Sequence, residues 1–240
     1  MSVLINADVG EEQGSDEELM PIIDMANIAC GAHAGNIEVM QHTLDLANSH
    51  RVTVGAHVSY PDREGFGRRS IVMSPQLLSK SIGDQISTLE EVAKAQNIPI
   101  SYVKPHGALY NDMMRDEEIF SVVLEAIAFR QSPLAFMFQT TLDWDKLGEL
   151  CIDRNVQPIF EAFADRRYED SGLLMPRSKP EACLDPTEAL AQVKSIISDQ
   201  CIVTASGHKL SVPIQTLCVH GDNPEAVDLA KDIHALLDQA

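Results

Sequence analysis

The chain is poor in basic residues. Its 240 residues include 18 Lys and Arg against 36 Asp and Glu, which gives a formal net charge of −18. Nucleic acids and anionic membrane surfaces bind clustered lysines and arginines, so we expect neither as a partner. Apolar runs of membrane-spanning length and a basic, apolar leader pattern are also missing from the sequence. We therefore expect neither a transmembrane helix nor a signal peptide.

Cysteine pairs are missing as well. The five cysteines are an odd number, and no two of them are spaced as CxxC. We therefore expect reduced, mostly buried thiols in a cytoplasmic protein, and neither disulfides nor a four-cysteine zinc site. Aromatic residues make up only 5% of the chain, so aliphatic side chains must fill most of the core.

Several common nucleotide and hydrolase motifs do not occur. The sequence has no GxxxxGK loop followed by Ser or Thr, no GxGxxG after a strand and no protein-kinase set. If the reaction uses ATP, we do not expect this chain to supply a standard site for it. A GxSxG elbow is also missing, which disfavours a serine esterase.

What is present is an alternation of apolar runs and helical patterns along nearly the whole chain. The runs predict seven buried strands near residues 3–7, 26–30, 52–56, 100–104, 133–138, 157–162 and 215–219. Because no linker or repeat interrupts them, we predict one domain over residues 1–240. The pattern is typical of a single-domain parallel (β/α) barrel, with an open doubly wound sheet as the second choice. Residues 201–212 predict an additional β-hairpin.

Acidic or imidazole side chains follow six of the apolar runs. They are Asp8, His33, His57, His106, Asp165 and His220. The carboxyl ends of parallel strands meet at one face, so we expect these groups to converge there. A turn or a structural role explains each one alone at least as well. Together they predict a site for a divalent metal or for metal-free acid–base catalysis, and both readings stay open.

The basic residues that do occur lie mostly on predicted loops. They include Arg63, Arg68, Arg69, Arg166, Arg167 and Arg177, together with Lys104 at a strand end. A guanidinium group binds a carboxylate or phosphate through two parallel hydrogen bonds. Surface ion pairs account for some of these arginines, and a small anionic substrate would account for others.

Seven segments of the chain resemble, in order, those of the LamB/YcsF family. They read NADVGEE, NIACGAHAGN, VGAHVSYPDREGFGRR, YVKPHGALYN, FADRRY, LMPRSKP and LCVHGDNP. The resemblance covers almost the whole chain and implies a (β/α) barrel related to the glycoside hydrolase/deacetylase superfamily. Members of the family are the A subunit of a bacterial ATP-dependent 5-oxoprolinase. The resemblance therefore implies cleavage of 5-oxo-L-proline (pyroglutamate) to L-glutamate, coupled to ATP hydrolysis, with partner subunits B and C.

The resemblance also implies roles for individual residues. Catalysis is expected from Asp8, His33, His57, His106 and His220, and substrate binding from Glu11, Lys104, Tyr110, Asp165 and Arg177. A divalent metal is left open. The chain departs from the family pattern at Ala32, where an aromatic residue is usual, and at Asn36, where Asp is common. These departures bear on the packing around His33.

The resulting hypothesis is a reaction divided between subunits. A five-membered lactam is a poor electrophile, and phosphorylation of its amide oxygen on a partner would activate the ring carbon toward water. Asp8 with His57 or His106 would deprotonate that water. His33 or His220 would protonate the leaving nitrogen, while Arg177 and Lys104 would hold an anionic group.

Two other functions remain open at this point. The first is a stand-alone divalent-metal-dependent deacetylase or amidohydrolase, which the Asp and His residues would also suit. The second is a non-catalytic protein that binds an anionic metabolite in the same pocket.

Overall fold

Strands and helices alternate along the chain. The computed structural model describes residues 3–12, 15–219 and 224–237. The strands are β1 (Leu4–Val9), β2 (Met25–Ala29), β3 (Thr53–Val58), β4 (Ile100–Pro105), β5 (Ala135–Gln139), β6 (Pro158–Phe163), β7 (Cys201–Val203), β8 (Lys209–Ser211) and β9 (Thr216–Val219). The helices are α1 (Asp16–Leu19), α2 (Ile37–His50), α3 (Pro75–Ala95), α4 (Gly107–Met113), α5 (Glu117–Ala128), α6 (Trp144–Ile152), α7 (Pro186–Asp199) and α8 (Pro224–Leu237), with a 3₁₀ turn at Pro180–Ala182.

Seven parallel strands close into a barrel in the order β1-β2-β3-β4-β5-β6-β9. Strand β9 closes it, because Thr216 pairs with Leu4 of β1 on one side and with Glu161 of β6 on the other. The predicted (β/α) barrel is confirmed, and closure excludes the open sheet. The predicted hairpin is also confirmed, since β7 and β8 pair antiparallel as a separate two-stranded sheet.

Side-chain caps define where the helices begin. Asn36 caps α2 by accepting a hydrogen bond from the backbone N–H of Val39, which Asn and Asp do equally well. The substitution of Asn for the common Asp thus keeps the cap. Ser74 caps α3 immediately before a proline at the first helical position, as predicted, and Asp185 forms a capping box with Glu188 at α7.

An apolar layer fills the space between the strands and the helices, and we call it the outer layer. It contains Ile5 and Val9 of β1 and Ile82, Ile86 and Leu89 of α3, all of them buried. Ile5 and Val9 lie an even number of residues apart in the strand, and the α3 residues recur every three or four positions, so each element turns one face to this layer. No described helix is long and apolar enough to cross a bilayer.

The inside of the barrel, which we call the lumen, is polar over much of its height. Its side chains alternate along the strands with those of the outer layer. Asn6 Nδ2 donates to Thr216 Oγ1 (2.9 Å), and Asn27 Nδ2 donates to Asn6 Oδ1 (2.8 Å). A small apolar cluster of Met25, Tyr102 and Met137 is separate from the outer layer. The Tyr102 hydroxyl donates to Asn27 Oδ1 (2.7 Å) and so joins that cluster to the polar network.

The cysteines are mostly buried, as predicted. One short helix was not predicted. All five cysteines are free thiols and all but Cys183 are buried. The helix that the sequence pattern did not predict is α4, which follows β4 directly and turns Tyr110 toward the barrel.

Candidate active site

A cavity of about 730 Å³ opens at the carboxyl ends of the barrel strands. The side chains that line it come from several strands and the loops after them, as expected for this fold. They include Asp8, Glu11, His57, Lys104, His106, Tyr110, Phe66 and Phe163, together with Arg68, Arg115, Arg166 and Arg177. The cavity thus joins carboxylates, imidazoles and guanidinium groups around one space.

Glu11, His33, His57 and His106 form one cluster, which we call the histidine cluster. Glu11 Oε1 lies 3.0 Å from His33 Nε2, 3.2 Å from His106 Nδ1 and 3.7 Å from His57 Nε2. His57 Nε2 lies 3.0 Å from His106 Nδ1. One ligand atom from each of the four residues fits within a 4.8 Å span, close enough to hold a metal ion. Sequence reasoning brought the three histidines together and assigned Glu11 to the substrate.

Burial and neighbouring charges divide the three imidazoles into two kinds. Burial lowers the pKa of both His33 and His106 to about 3, with a further contribution from the neighbouring histidine rings. Burial acts the same way on His57, but the carboxylates of Asp8 and Glu11 outweigh it and raise its pKa above the ordinary value. Burial thus favours the neutral form of His33 and His106, whereas the two carboxylates favour the charged form of His57.

A buried lysine holds the carboxylates of the lumen together. Lys104 Nζ lies 2.9 Å from Asp8 Oδ1 and 2.8 Å from Glu161 Oε1, and it also donates to Asn6 Oδ1 (3.1 Å). Burial opposes its charge, but Asp8, Cys218 and Glu161 keep the pKa of Lys104 well above its usual value. Its ammonium group is thus a fixed positive charge beneath the cavity.

Glu161 is a site residue that sequence reasoning missed. It is fully buried within β6 and accepts a hydrogen bond from the Tyr110 hydroxyl (2.6 Å). Burial and this carboxylate raise the pKa of Tyr110 well above its usual value, so the phenol stays neutral. The signal was present in the sequence, because a glutamate inside the apolar run IFEAFA lies two residues from Phe163 and shares its side of the strand.

The loop after β3 covers the histidine cluster and depends on close backbone contacts. Gly67 has φ +66°, and a Cβ there would come within 2.8 Å of His106 Cδ2. Gly107 has φ +56°, and a Cβ there would meet the Gly67 carbonyl oxygen at 2.4 Å. Phe66 packs edge-on against His33. It thereby supplies an aromatic neighbour for His33 in a chain that has Ala32 beside it.

Comparison with known proteins identifies the family. The model of the LamB/YcsF family matches residues 3–240. The chain belongs to the LamB/YcsF family.

Curated relatives align with nearly the full length of this LamB/YcsF chain. A protein of Vibrio cholerae serotype O1, named as the A subunit of 5-oxoprolinase, is 46% identical over 245 residues, covering 99% of this chain and 98% of its own. A Pseudomonas putida protein, named as a second A subunit of 5-oxoprolinase, is 43% identical over 242 residues, covering 98% and 94%. The crystal structure of a lactam utilization protein from Thermus thermophilus has a TM-score of 0.89 and 33% identity, covering 100% of this chain and 97% of that one.

Seven arginines of this LamB/YcsF chain, most of them on loops, fall into two groups. Three are held by ion pairs outside the cavity: Arg63 with Glu12, Arg69 with Asp62 and Arg167 with Glu188. Arg68, Arg166 and Arg177 line the cavity, as does Arg115 at the end of α4, which sequence reasoning missed. Arg166 is buried, whereas the other three are exposed.

Most residues predicted for the site lie at the cavity. Asp8, Glu11, His57, Lys104, His106, Tyr110 and Arg177 line it, and His33 lies behind them in the histidine cluster. Asp165 follows β6 next to Arg166 and is not among the described residues that line the cavity. His220 lies outside the described residues, so its role stays a prediction.

Proposed function

We propose that this chain is the A subunit of an ATP-dependent 5-oxoprolinase and carries out the ring-opening hydrolysis of 5-oxoproline to glutamate. The names of its curated relatives support the reaction. One observation supports the chemistry. A single cavity combines a histidine and carboxylate floor with arginines, in a chain whose net charge is −18. An anionic, hydrolysable substrate suits both parts of that cavity.

Arg166 is the residue that we assign to the substrate carboxylate. It is 4% exposed, and its Nη2 donates to the Met175 carbonyl oxygen (2.7 Å). Its buried Nε has no hydrogen-bond partner among the described residues. Burial and the neighbouring Arg177 lower the pKa of Arg166, so an anion beside it relieves both effects. Arg177 is exposed at the same cavity and adds positive charge around the bound anion.

Asp8 is the residue that we assign to the attacking water. Its Oδ1 is held by Lys104 and by Asn27 Nδ2 (2.8 Å), while its Oδ2 faces His57 Nε2 at 3.3 Å. A carboxylate fixed on one side and turned toward an imidazole on the other is suited to orient water and take its proton. The leaving ring nitrogen also needs a proton, for which His220 stays the predicted source.

The proposal includes ATP because a five-membered lactam is a poor electrophile that needs activation. It places ATP binding on a partner because this sequence lacks the common nucleotide-binding motifs. Transfer of the γ-phosphoryl group to the lactam oxygen, on a partner subunit, leaves a ring carbon that water can attack. Cleavage of the carbon–nitrogen bond then gives γ-glutamyl phosphate, and a second water releases glutamate and phosphate. Subunits B and C are the partners that we propose for this transfer.

The test measures glutamate release from 5-oxoproline and ATP by this chain with and without subunits B and C. We expect activity only in the complete complex. Arg166→Met should raise the KM for 5-oxoproline roughly tenfold or more, because a charged hydrogen-bonding group contributes about 1.5–3 kcal/mol. Arg167→Met is the matched control, since that neighbouring arginine pairs with Glu188 instead. Robust ATP-dependent turnover by the chain alone, or equal KM values for the two variants, would contradict the proposal.

A second candidate function is favoured by the histidine cluster itself. Three imidazoles and a carboxylate also suit a stand-alone metal-dependent deacetylase or amidohydrolase. Hydrolysis of 5-oxoproline or of an N-acetylated sugar, without ATP and without any partner, would select this function instead.

A further inference from the structure

Two imidazoles of the histidine cluster have their outer nitrogens fixed as hydrogen-bond donors. His57 Nδ1 lies 2.9 Å from the backbone carbonyl oxygen of Lys104, and His106 Nε2 lies 3.0 Å from that of Phe66. A carbonyl oxygen only accepts, so each of these nitrogens carries a hydrogen. In a neutral ring the other nitrogen is then a bare lone pair, and in both cases it is the one that points into the cluster.

His33 is fixed in the same way through a hydroxyl group. The single hydroxyl hydrogen of Ser59 is donated to the Tyr60 carbonyl oxygen (2.8 Å). Ser59 Oγ must therefore accept from His33 Nδ1, which lies 3.0 Å away. The inner nitrogen of His33, Nε2, is again a lone pair, and it faces Glu11 Oε1 at 3.0 Å.

Four electron-pair donors thus converge on one point. Glu11 Oε1 lies 3.0 Å from His33 Nε2 and 3.2 Å from His106 Nδ1, the two nitrogens that carry no hydrogen when these rings are neutral. A dication would contact all four donors at once.

The spacing of the donor atoms matches a coordination sphere. Ligand atoms about 2.0–2.1 Å from a tetrahedral ion lie roughly 3.3–3.4 Å from one another. Four of the six separations in the cluster are 3.0, 3.0, 3.2 and 3.7 Å, and all six lie within 4.8 Å. The outer nitrogens bonded to carbonyl and hydroxyl oxygens are the second layer of contacts that orients metal-binding histidines in proteins.

We propose that Glu11, His33, His57 and His106 bind one divalent transition-metal ion of the zinc class. Three imidazole nitrogens and one carboxylate favour Zn²⁺ or Co²⁺ over Mg²⁺ or Ca²⁺, which prefer oxygen ligands. Glu11, His57 and His106 also line the cavity, so the ion would be accessible to water from that side. Metal binding is independent of which lactam, if any, the protein hydrolyses.

The first test uses the untagged full chain, stripped with a chelator and then dialysed against Zn²⁺, Co²⁺ or Mg²⁺. Bound metal is counted by mass spectrometry, affinity is measured by competition with a chromophoric chelator, and the Co²⁺ form is inspected for visible d–d absorption. We expect one tightly bound Zn²⁺ or Co²⁺ per chain, absorption typical of four- or five-coordinate Co²⁺, and no retained Mg²⁺. No retained Zn²⁺ or Co²⁺ would overturn the proposal.

The second test assigns the ion to this cluster. Ser59→Ala removes the acceptor that orients His33 without removing a ligand, and it should weaken Zn²⁺ binding about 10–100-fold. Glu11→Gln, which keeps the shape of the side chain, should weaken binding at least as much. His208→Ala is the control, because that histidine is exposed on the hairpin. Circular dichroism checks that each variant is folded.

Equal Zn²⁺ affinity in the wild type, Ser59→Ala and Glu11→Gln would overturn the proposal, since the ion would then lie elsewhere. Because the readout is metal binding, this outcome would leave the proposed lactam hydrolysis standing. Conversely, failure to release glutamate would not affect the metal assignment.

Discussion

The outer layer and the lumen are both shielded from water, yet they are filled by opposite kinds of residue. The outer layer is apolar, with Ile82, Ile86 and Leu89 of α3 packed on the strands. The lumen holds a lysine and a glutamate that are almost completely buried, Lys104 and Glu161. Barrels of this class usually fill their interior with branched aliphatic residues. We therefore expect the outer layer to stabilise the fold and the lumen to hold the proposed active site in place of apolar packing.

The largest expected difference between variants of the two regions is in their activity. His57→Gln removes an imidazole that contacts Asp8, Glu11 and His106. We expect glutamate release by the complete complex to fall about 10²–10⁴-fold, the usual contribution of a group that moves or orients protons. Turnover is compared per folded molecule, because removal of this buried imidazole also affects stability. Wild-type turnover by a folded variant would remove His57 from the site.

The next effect concerns the charge balance within the lumen. Lys104→Met leaves Asp8 and Glu161 without their shared cation, and loss of one partner of a buried ion pair costs about 3–5 kcal/mol. Urea unfolding should show this loss, and Lys104→Met combined with Glu161→Gln should recover part of it. A double variant no more stable than the single one would mean that the two charges do not balance each other.

In the outer layer the expected effect is on stability alone. Leu89 is fully buried on α3, and Leu89→Ala should lower the free energy of unfolding by about 2–5 kcal/mol through lost transfer energy and a cavity. Turnover per folded molecule should match the wild type. Leu77→Ala, on the same helix but exposed, is the control and should change neither quantity. A fall in turnover with Leu89→Ala would mean that the layers are not separable.

The smallest effect concerns Asn36, the exposed cap at the start of α2, which lies outside both regions. Asn36→Ala removes the cap of α2 and should cost about 1 kcal/mol, whereas Asn36→Asp should be close to neutral. Thermal unfolding of the two variants checks this. A large loss with Asn36→Asp would show that the amide has a role besides capping.

Sequence patterns predicted the barrel because each strand is a mostly apolar run that is followed by a helical pattern. They predicted the convergence of Asp8, His57 and His106 because strand ends meet at one face. They did not predict Glu161 or the network of Asn6 and Asn27. Each of these polar residues was treated as part of an apolar run, whereas alternate residues of a strand share one face and must be considered together. The other features of the site depend on contacts between distant segments, which a sequence pattern does not contain. Ser59 orients His33, and burial distinguishes Arg166 from Arg167.

The central claim is that the lumen carries the chemistry, whereas the outer layer contributes only to stability. Glutamate release per folded molecule, from 5-oxoproline and ATP with subunits B and C, tests it directly when His57→Gln and Leu89→Ala are compared. We predict a loss of at least about 100-fold for His57→Gln and wild-type turnover for Leu89→Ala. Wild-type turnover by His57→Gln, or an equal loss in both variants, would contradict the claim.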